Sequence, residues 1–218
     1  MSSPTMMPMS LEEIAQAVQG RLIAGTAAID TPVATSTFTD SRQIVEGSVF
    51  VAIAGERVDG HDYVSKVGAQ GAVAAIVDHE IDGAGVPQIV VEDTVLALGA
   101  LAKHNIEPFT VIGITGSVGK TTTKDLMKAL LAHIGPTIAP VGSFNNEIGL
   151  PLTSLKVHAE TRFLVAEMGA NHVGEIANLT SLVPPDIAVV LKVGVAHLGE
   201  FGSPERIAQA KSEIIRGL

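Results

Sequence analysis

The stretch Phe109–Gly135, FTVIGITGSVGKTTTKDLMKALLAHIG, decides the fold. It opens on a β-branched apolar run, passes through Gly116-Ser-Val-Gly-Lys-Thr-Thr122, and continues as a helix-forming segment. An apolar run this continuous predicts a strand covered on both faces, as in a parallel sheet. The glycines let the loop turn so that successive backbone N–H groups point at one anion, and the helix beginning at Thr121 adds its positive end. Lys120 can reach β- and γ-phosphates, and the Thr121 hydroxyl can ligate Mg2+. The usual phosphate-loop spacing G-x-x-x-x-G-K-[ST] would put glycine at position 114, where this chain has Ile114; its glycines are Gly113, Gly116 and Gly119. With the strand–loop–helix context intact, Gly116, Ser117, Val118, Gly119, Lys120, Thr121 and Thr122 form the candidate cradle for a nucleoside triphosphate. On the helix, Leu126, Met127, Leu130, Leu131 and Ile134 read as one apolar stripe, stopped by Gly135-Pro136.

Strand and helix signals alternate on both sides of this stretch. Downstream, TIAPV, RFLVAE and DIAVVLKV read as strands. Upstream, Ser10 and Glu13 have capping-box spacing ahead of a helix with Leu11, Ile14, Ala15 and Val18 on one face and Gly20 as its stop. Strands are predicted at RLIA, SVFVAI, AVAAIV and QIVVE, with helices near 61–69 and 94–105. The segment KHNIEPF, with Asn105 and Pro108 as breakers, reads as the junction. The expected fold is α/β: a small N-terminal α/β domain over 1–106, then a phosphate-loop-containing, mostly parallel-sheet domain over 107–218. No strand follows KSEIIRGL, so the second domain is expected to be truncated before its end.

A hydrophobic content of 46% against 17% charged residues is that of a globular chain, which excludes disorder as the main state. The net charge of −9 disfavours a general nucleic-acid-binding face. The absence of cysteine excludes disulfides, thiolate catalysis and zinc–thiolate sites, and is compatible with a reducing compartment. MSSPTMMPMS lacks the basic-then-apolar order of a secretory signal, and no apolar run approaches the roughly 20 residues of a membrane helix. A cytoplasmic setting without membrane insertion is expected.

Ligands of parallel α/β sheets gather at the carboxyl ends of the strands. Glu167 closes RFLVAE and is placed to bind Mg2+ beside the phosphate loop; the other reading is a helix-capping or surface carboxylate. His197, just beyond the next strand, reads equally as a metal or phosphate ligand and as an ordinary loop histidine. After Ser203 and Pro204 start the last helix, Ile207, Lys211, Ile214, Ile215 and Leu218 recur at helical spacing, which puts Lys211 on the apolar face. Either its stem snorkels or the charge is paired in the interior, or a depressed pKa leaves a neutral amine able to react with CO2. Asn145-Asn146 can read a polar ligand or build Asx-turns. Arg42 or Arg57, in TDSRQIVEGSVFVAIAGERVDGHD, could clamp a diphosphate, although composition alone describes a polar surface loop.

Taken together, ITGSVGKTTTKDLM, SFNNEIGLPLTSL, AEMGANHVGEI, VGVAHLGEFGS and AQAKSEII resemble the Mur ligase family, over nearly the whole chain after about residue 10. The resemblance implies three α/β domains, of which this chain carries the first and part of the second and is not expected to turn over alone. It implies an ATP- and Mg2+-dependent ligase that forms a peptide bond through an acyl phosphate. Asn145-Asn146 together with EMGANHVGEI point to the member that joins D-alanyl-D-alanine to UDP-N-acetylmuramoyl-tripeptide, acting as a monomer. By the same resemblance, Gly116 to Thr122 hold ATP, Thr121 and Glu167 bind Mg2+, and His197 belongs to the metal site. Lys211 would be carbamylated and bind metal in that form, so that Lys120, Lys211 and His197 are the catalytic group. Asn145, Asn146, Asn171 and His172 would lie near the reacting substrates, and Ser41 and Arg42 in the uridine-precursor block. Lys192 departs from the family, where a neutral polar residue is expected. A sibling amide ligase (the tripeptide-forming one or a folylpolyglutamate synthetase), a non-catalytic nucleotide-binding module and a phosphate-loop kinase are the alternatives.

Overall fold

The structure, a computed structural model, describes residues 6–23, 33–142, 144–194 and 198–218. The chain divides into two compact units, Met1–His104 and Asn105–Leu218.

In chain order the first unit contains β1 (Met9–Ser10), α1 (Leu11–Ala17), β2 (Arg21–Ile23), β3 (Val33–Ala34), β4 (Ser36–Phe38) and β5 (Ser48–Val51). These are followed by α2 (Val64–Val67), β6 (Ala72–Val77), β7 (Gln88–Val90) and α3 (Thr94–Ile106), whose last two residues fall in the second unit. The main sheet has the order β2-β7-β6-β5-β4, with β4 to β7 parallel and β2 antiparallel at its edge. β1 and β3 form a separate antiparallel pair. The Ser10 hydroxyl accepts from the Glu13 N–H at 3.1 Å, as the capping spacing predicts. The left-handed turn that ends α1 falls on Gln19 (φ 54°), not on Gly20. Gly20 serves a different need, because a Cβ there would lie 2.6 Å from Ile89 Cγ2. β4 carries no apolar alternation, and its polar side chains are satisfied internally: Ser36 Oγ lies 3.0 Å from Ser48 Oγ, and the Thr37 hydroxyl meets Met6 Sδ at 3.2 Å. The helix expected near 61–69 is a 3-10 turn at Gly60–Tyr63, then α2, then a second 3-10 turn at Gly68–Gln70.

The second unit runs β8 (Thr110–Thr115), α4 (Lys120–Leu131), β9 (Thr137–Ile138), α5 (Gly149–Ser154) and β10 (Phe163–Glu167). It continues through α6 (Glu175–Leu182), β11 (Ile187–Val190), α7 (Leu198–Phe201) and α8 (Pro204–Ser212). Its sheet is wholly parallel, in the order β11-β8-β10-β9. Strand period two splits the core: Leu164 and Ala166 pack with Ile176, Leu179, Ile207 and Ile214, whereas Val165 joins Ile114 and Ala139 on the opposite face, under Met127 and Leu131. No described helix is long and apolar enough to cross a membrane.

Two sequence expectations about helix faces need correction. On α4, Met127 and Leu131 pack inward, but Leu126, Leu130 and Ile134 are 61%, 69% and 60% exposed. The predicted stripe is wider than the strip of sheet it covers. The buried residue of α4 is instead Lys124, whose ammonium donates to the Pro140 carbonyl at 2.9 Å and pairs with Asp125 at 2.9 Å. At the chain's end, α8 gives way to a 3-10 turn at Glu213–Gly217. The tighter winding keeps Ile214 buried and turns Ile215 and Leu218 to the surface.

The same turn places the buried Glu213 carboxylate against the start of α6, where it accepts from the N–H groups of Gly174 at 2.8 Å and Ala177 at 3.1 Å. This cap from a distant residue satisfies two donors that the helix cannot satisfy itself and puts negative charge at its positive end. Glu213→Ala should destabilise the second unit by about 2–3 kcal/mol, the usual cost of losing charge-assisted bonds to buried donors. Urea unfolding of the two proteins measures it, and an unchanged midpoint would show that the cap contributes nothing.

Candidate functional site

The register Glu167↔Ile114 and Val190↔Thr115 brings the carboxyl ends of β8, β10 and β11 level. Ile114 is a fully buried strand residue, so β8 continues through the position that usually begins a phosphate loop. The turn therefore starts only at Gly116. A Cβ at Gly116 would lie 2.7 Å from Leu191 Cβ, and Gly119 takes φ 86° as it opens α4. Glycine is required at 116 for space and at 119 for backbone conformation. The loop is braced from β11's exit: Ser117 N–H donates to the Lys192 carbonyl at 3.1 Å, and Gly194 N–H donates to Ser117 Oγ at 3.0 Å. Lys192 thus meets the loop through its backbone, while the residue itself is exposed. The Lys120 ammonium donates to the Gly116 carbonyl at 2.9 Å, folded over the loop. Val118 and Thr122 are exposed at the loop's rim.

Glu167 is almost completely buried where β10 ends, with one carboxylate oxygen accepting from Thr121 Oγ1 at 3.1 Å and the other from Asn145 Nδ2 at 3.0 Å. It therefore neither caps a helix nor faces solvent, the alternatives open from the sequence. Asn145 fits closely against Gly169, where a Cβ would lie 2.9 Å from the amide carbon of Asn145. The glycine in EMGANH was the available signal for this approach. Asn146 does what an Asx-turn predicts, its Oδ1 accepting from Gly149 N–H at 2.9 Å just before α5.

Lys211 is 2% exposed on α8, and its ammonium donates to the Ala170 carbonyl at 3.1 Å and lies 5.4 Å from the centre of the Phe201 ring. Burial first and the nearby Lys120 charge second push its pKa down to about 8, against the opposing pull of Glu175 and Glu213. The stem does not snorkel. Asn171 and His172 are exposed on the turn before α6, with Asn171 N–H donating to Glu175 at 2.8 Å. A cleft of ≈ 350 Å³ beside them is lined by Asn146, Glu147, Gly169, Gly174, Glu175 and Asn178, among others. His197 lies outside the described residues.

In the first unit, Ser41 and Arg42 sit on a short 3-10 turn. Arg42 makes a two-pronged pair with Asp40, at 2.9 Å and 2.7 Å, which holds the Asp40 carboxyl down to about 2. Arg57 lies in an exposed segment near Gly55 and Val58.

A glycine loop tied between parallel strands, a lysine folded over it and a buried carboxylate on the first-turn threonine define a phosphate-loop α/β protein. The Mur ligase middle-domain profile matches residues 114–218, and the profile described as Mur ligase family, catalytic domain, matches residues 35–105. The chain belongs to the Mur ligase family. It is similar to UDP-N-acetylmuramoyl-tripeptide–D-alanyl-D-alanine ligase of Haemophilus influenzae, with 42% identity over 98% of this chain and 47% of that protein. The ligase of the same name from Mycobacterium tuberculosis is 40% identical, over 96% of this chain and 46% of its own length. Among solved structures, MurF from Acinetobacter baumannii superposes with a TM-score of 0.87 at 40% identity, covering 98% of this chain and 47% of that one. MurF ligase from Thermotoga maritima, solved in complex with ADP, gives 0.74 at 41% identity over 84% and 43%. The chain spans about half the length of the curated relatives it matches.

Proposed function

We propose that this chain forms the precursor- and nucleotide-binding part of an ATP-dependent ligase that joins D-alanyl-D-alanine to UDP-N-acetylmuramoyl-tripeptide in peptidoglycan precursor synthesis. The observation that carries the reading is the linked set Thr121–Glu167–Asn145 beside Lys120, on a chain about 40% identical to ligases bearing that name. Residues 107–218 take ATP on the loop from Gly116 to Thr122. Residues 1–106 take the UDP-linked precursor, with Ser41 and Arg42 in its binding block. Asn145, Asn146, Asn171 and His172 line the approach of the reacting groups, and His197 completes the metal site. The enzyme works as a monomer in the cytoplasm.

The precursor's terminal carboxylate forms an O–P bond to the γ-phosphorus as the bond to ADP breaks. The amine of D-alanyl-D-alanine then forms the C–N bond, inorganic phosphate leaves with the C–O electron pair, and the nitrogen gives up a proton. Two anions meet in the first step, so the loop N–H groups and Lys120 must offset their repulsion. The hydroxyl of Thr121 and the carboxylate of Glu167 are hard oxygen donors on adjacent positions and fit Mg2+, which supplies charge screening on the phosphates when bound. Lys211, with its lowered pKa, can form an N–C bond to CO2 and release a proton. The resulting carbamate would be a buried anion able to serve as a metal ligand.

Calorimetric titration with UDP-muramyl-tripeptide, and with the dipeptide as control, tests the reading. The tripeptide should bind the more tightly, and Arg42→Ala should weaken it by about tenfold, the value of one charged hydrogen bond. Preference for the dipeptide would assign the chain to the ligase of the preceding step, and binding of neither would remove the precursor role of the first unit.

A further inference from the structure

The first unit holds a cluster of metal-ligating side chains that the ligase reading does not use. His61 is buried, on the 3-10 turn at Gly60–Tyr63. Asp78 and His79 follow directly on β6 and are more exposed. His61 Nε2 lies 3.2 Å from Asp78 Oδ1, and His79 Nδ1 bonds the same oxygen. The two rings stack with centroids 4.8 Å apart. Two ring nitrogens thus converge on one carboxylate oxygen, and the three donor atoms all lie within 4.8 Å of one another.

The other side of His61 is already arranged. Asp59 Oδ1 lies 2.6 Å from His61 Nδ1 and also accepts the His61 backbone N–H at 2.9 Å. With Nδ1 engaged by the Asp59 carboxylate, Nε2 is the ring nitrogen that faces the cluster. A carboxylate behind a histidine, orienting it for a cation on its far side, is the arrangement found around protein-bound zinc. The Asp78 backbone N–H donates to Nε2 at 3.3 Å, a long hydrogen bond that a cation at Nε2 would replace.

We propose that His61 Nε2, Asp78 Oδ1 and His79 Nδ1 form a site for one divalent transition-metal ion of the zinc class, with Asp59 as the orienting residue. Two imidazoles and one carboxylate suit zinc, cobalt or nickel and not Mg2+, which prefers oxygen alone. Metal–ligand distances of about 2.0–2.2 Å put neighbouring donors of a tetrahedral site roughly 3.3 Å apart, close to the separation of His61 and Asp78. His79, the exposed member, needs only a side-chain adjustment, and water takes the fourth position. The ion would clip the 3-10 turn to the end of β6. This inference stands on the first unit alone and does not depend on the proposed function.

The test is titration of the untagged, chelator-stripped chain with Co2+, followed by visible absorption, and displacement by Zn2+. One Co2+ should bind per chain with the absorption of a four-coordinate nitrogen–oxygen site, and Zn2+ should displace it and raise the thermal midpoint. Millimolar Mg2+ should not displace the Co2+. His79→Ala changes an exposed residue, so the protein still folds; it should weaken Co2+ binding by at least about tenfold and abolish the Zn2+-dependent rise in midpoint. Asp78→Asn should weaken binding in the same way. Absence of Co2+ absorption at millimolar metal, or binding that survives His79→Ala and disappears in Glu167→Gln, would overturn the site.

Discussion

Replacing Lys120 by alanine should lower the affinity of this chain for Mg-ATP by at least about a hundredfold and leave the fold in place. The ammonium touches the protein at the Gly116 carbonyl, a group that can turn to water once the lysine is gone. In the nucleotide complex the same ammonium would swing to the phosphates and make charge-assisted hydrogen bonds. Two such bonds at about 1.5 kcal/mol or more each come to roughly 3 kcal/mol, or two decades in affinity. Titration calorimetry with ATP and Mg2+ measures the loss, and thermal melting checks that the variant is folded. A variant that keeps wild-type affinity would remove Lys120 from the phosphate site.

Lys211→Met should stabilise the apoprotein near pH 7, by on the order of 3 kcal/mol at most, and this advantage should disappear as the pH rises. The folded-state pKa of about 8 lies below the ordinary 10.5. Between those values the unfolded chain binds more protons than the folded one, so wild-type stability climbs with pH over that window. Below about 8 the wild type carries the full cost of a buried charge, and above about 10.5 the amine is neutral in both states. Methionine fills a similar volume without charge, although it leaves the Ala170 carbonyl without its donor, which trims the gain. Urea unfolding of both proteins from pH 7 to 11, in buffer purged of CO2, gives the result. Parallel curves would show that Lys211 is not held at a depressed pKa. Stability given up near neutral pH to keep a lysine in the interior is what a chemical use of its amine requires.

The strands that carry the site were legible because their signal is local. β8 spans the residues its apolar run predicts, since a glycine turn cuts it off at Thr115. Glu167 was legible as the acid that closes such a run. Lys211 was legible because helical spacing alone put it among Ile207 and Ile214. The rest depended on partners distant in sequence. β4, Ser-Thr-Phe, is too short and too polar to carry a strand signal of its own and is paired along its length with β5. The α4 stripe reports the hydrophobicity of that helix but not how wide a strip of sheet it meets, so Lys124 could not be expected in the interior nor Leu130 on the surface. No local signal marks Glu213 as a helix cap. Its use as a cap depends on α6, 36 residues earlier at the Ala177 N–H. Asn145 was ambiguous for the same reason, since its amide partner Glu167 is 22 residues away.

The brace between Ser117 and the residues after β11 bears on how fast a nucleotide can be captured. An unbraced glycine loop wanders among many backbone states, and a ligand must wait for, or enforce, the one that presents its amides; each residue so ordered costs about 1–2 kcal/mol. Here Ser117 is held by Lys192 and Gly194, and Leu191 presses on Gly116, so that ordering occurs when the chain folds. Nucleotide capture, as proposed for this loop, would then be limited by encounter and by the swing of one lysine side chain, both faster than loop rearrangement.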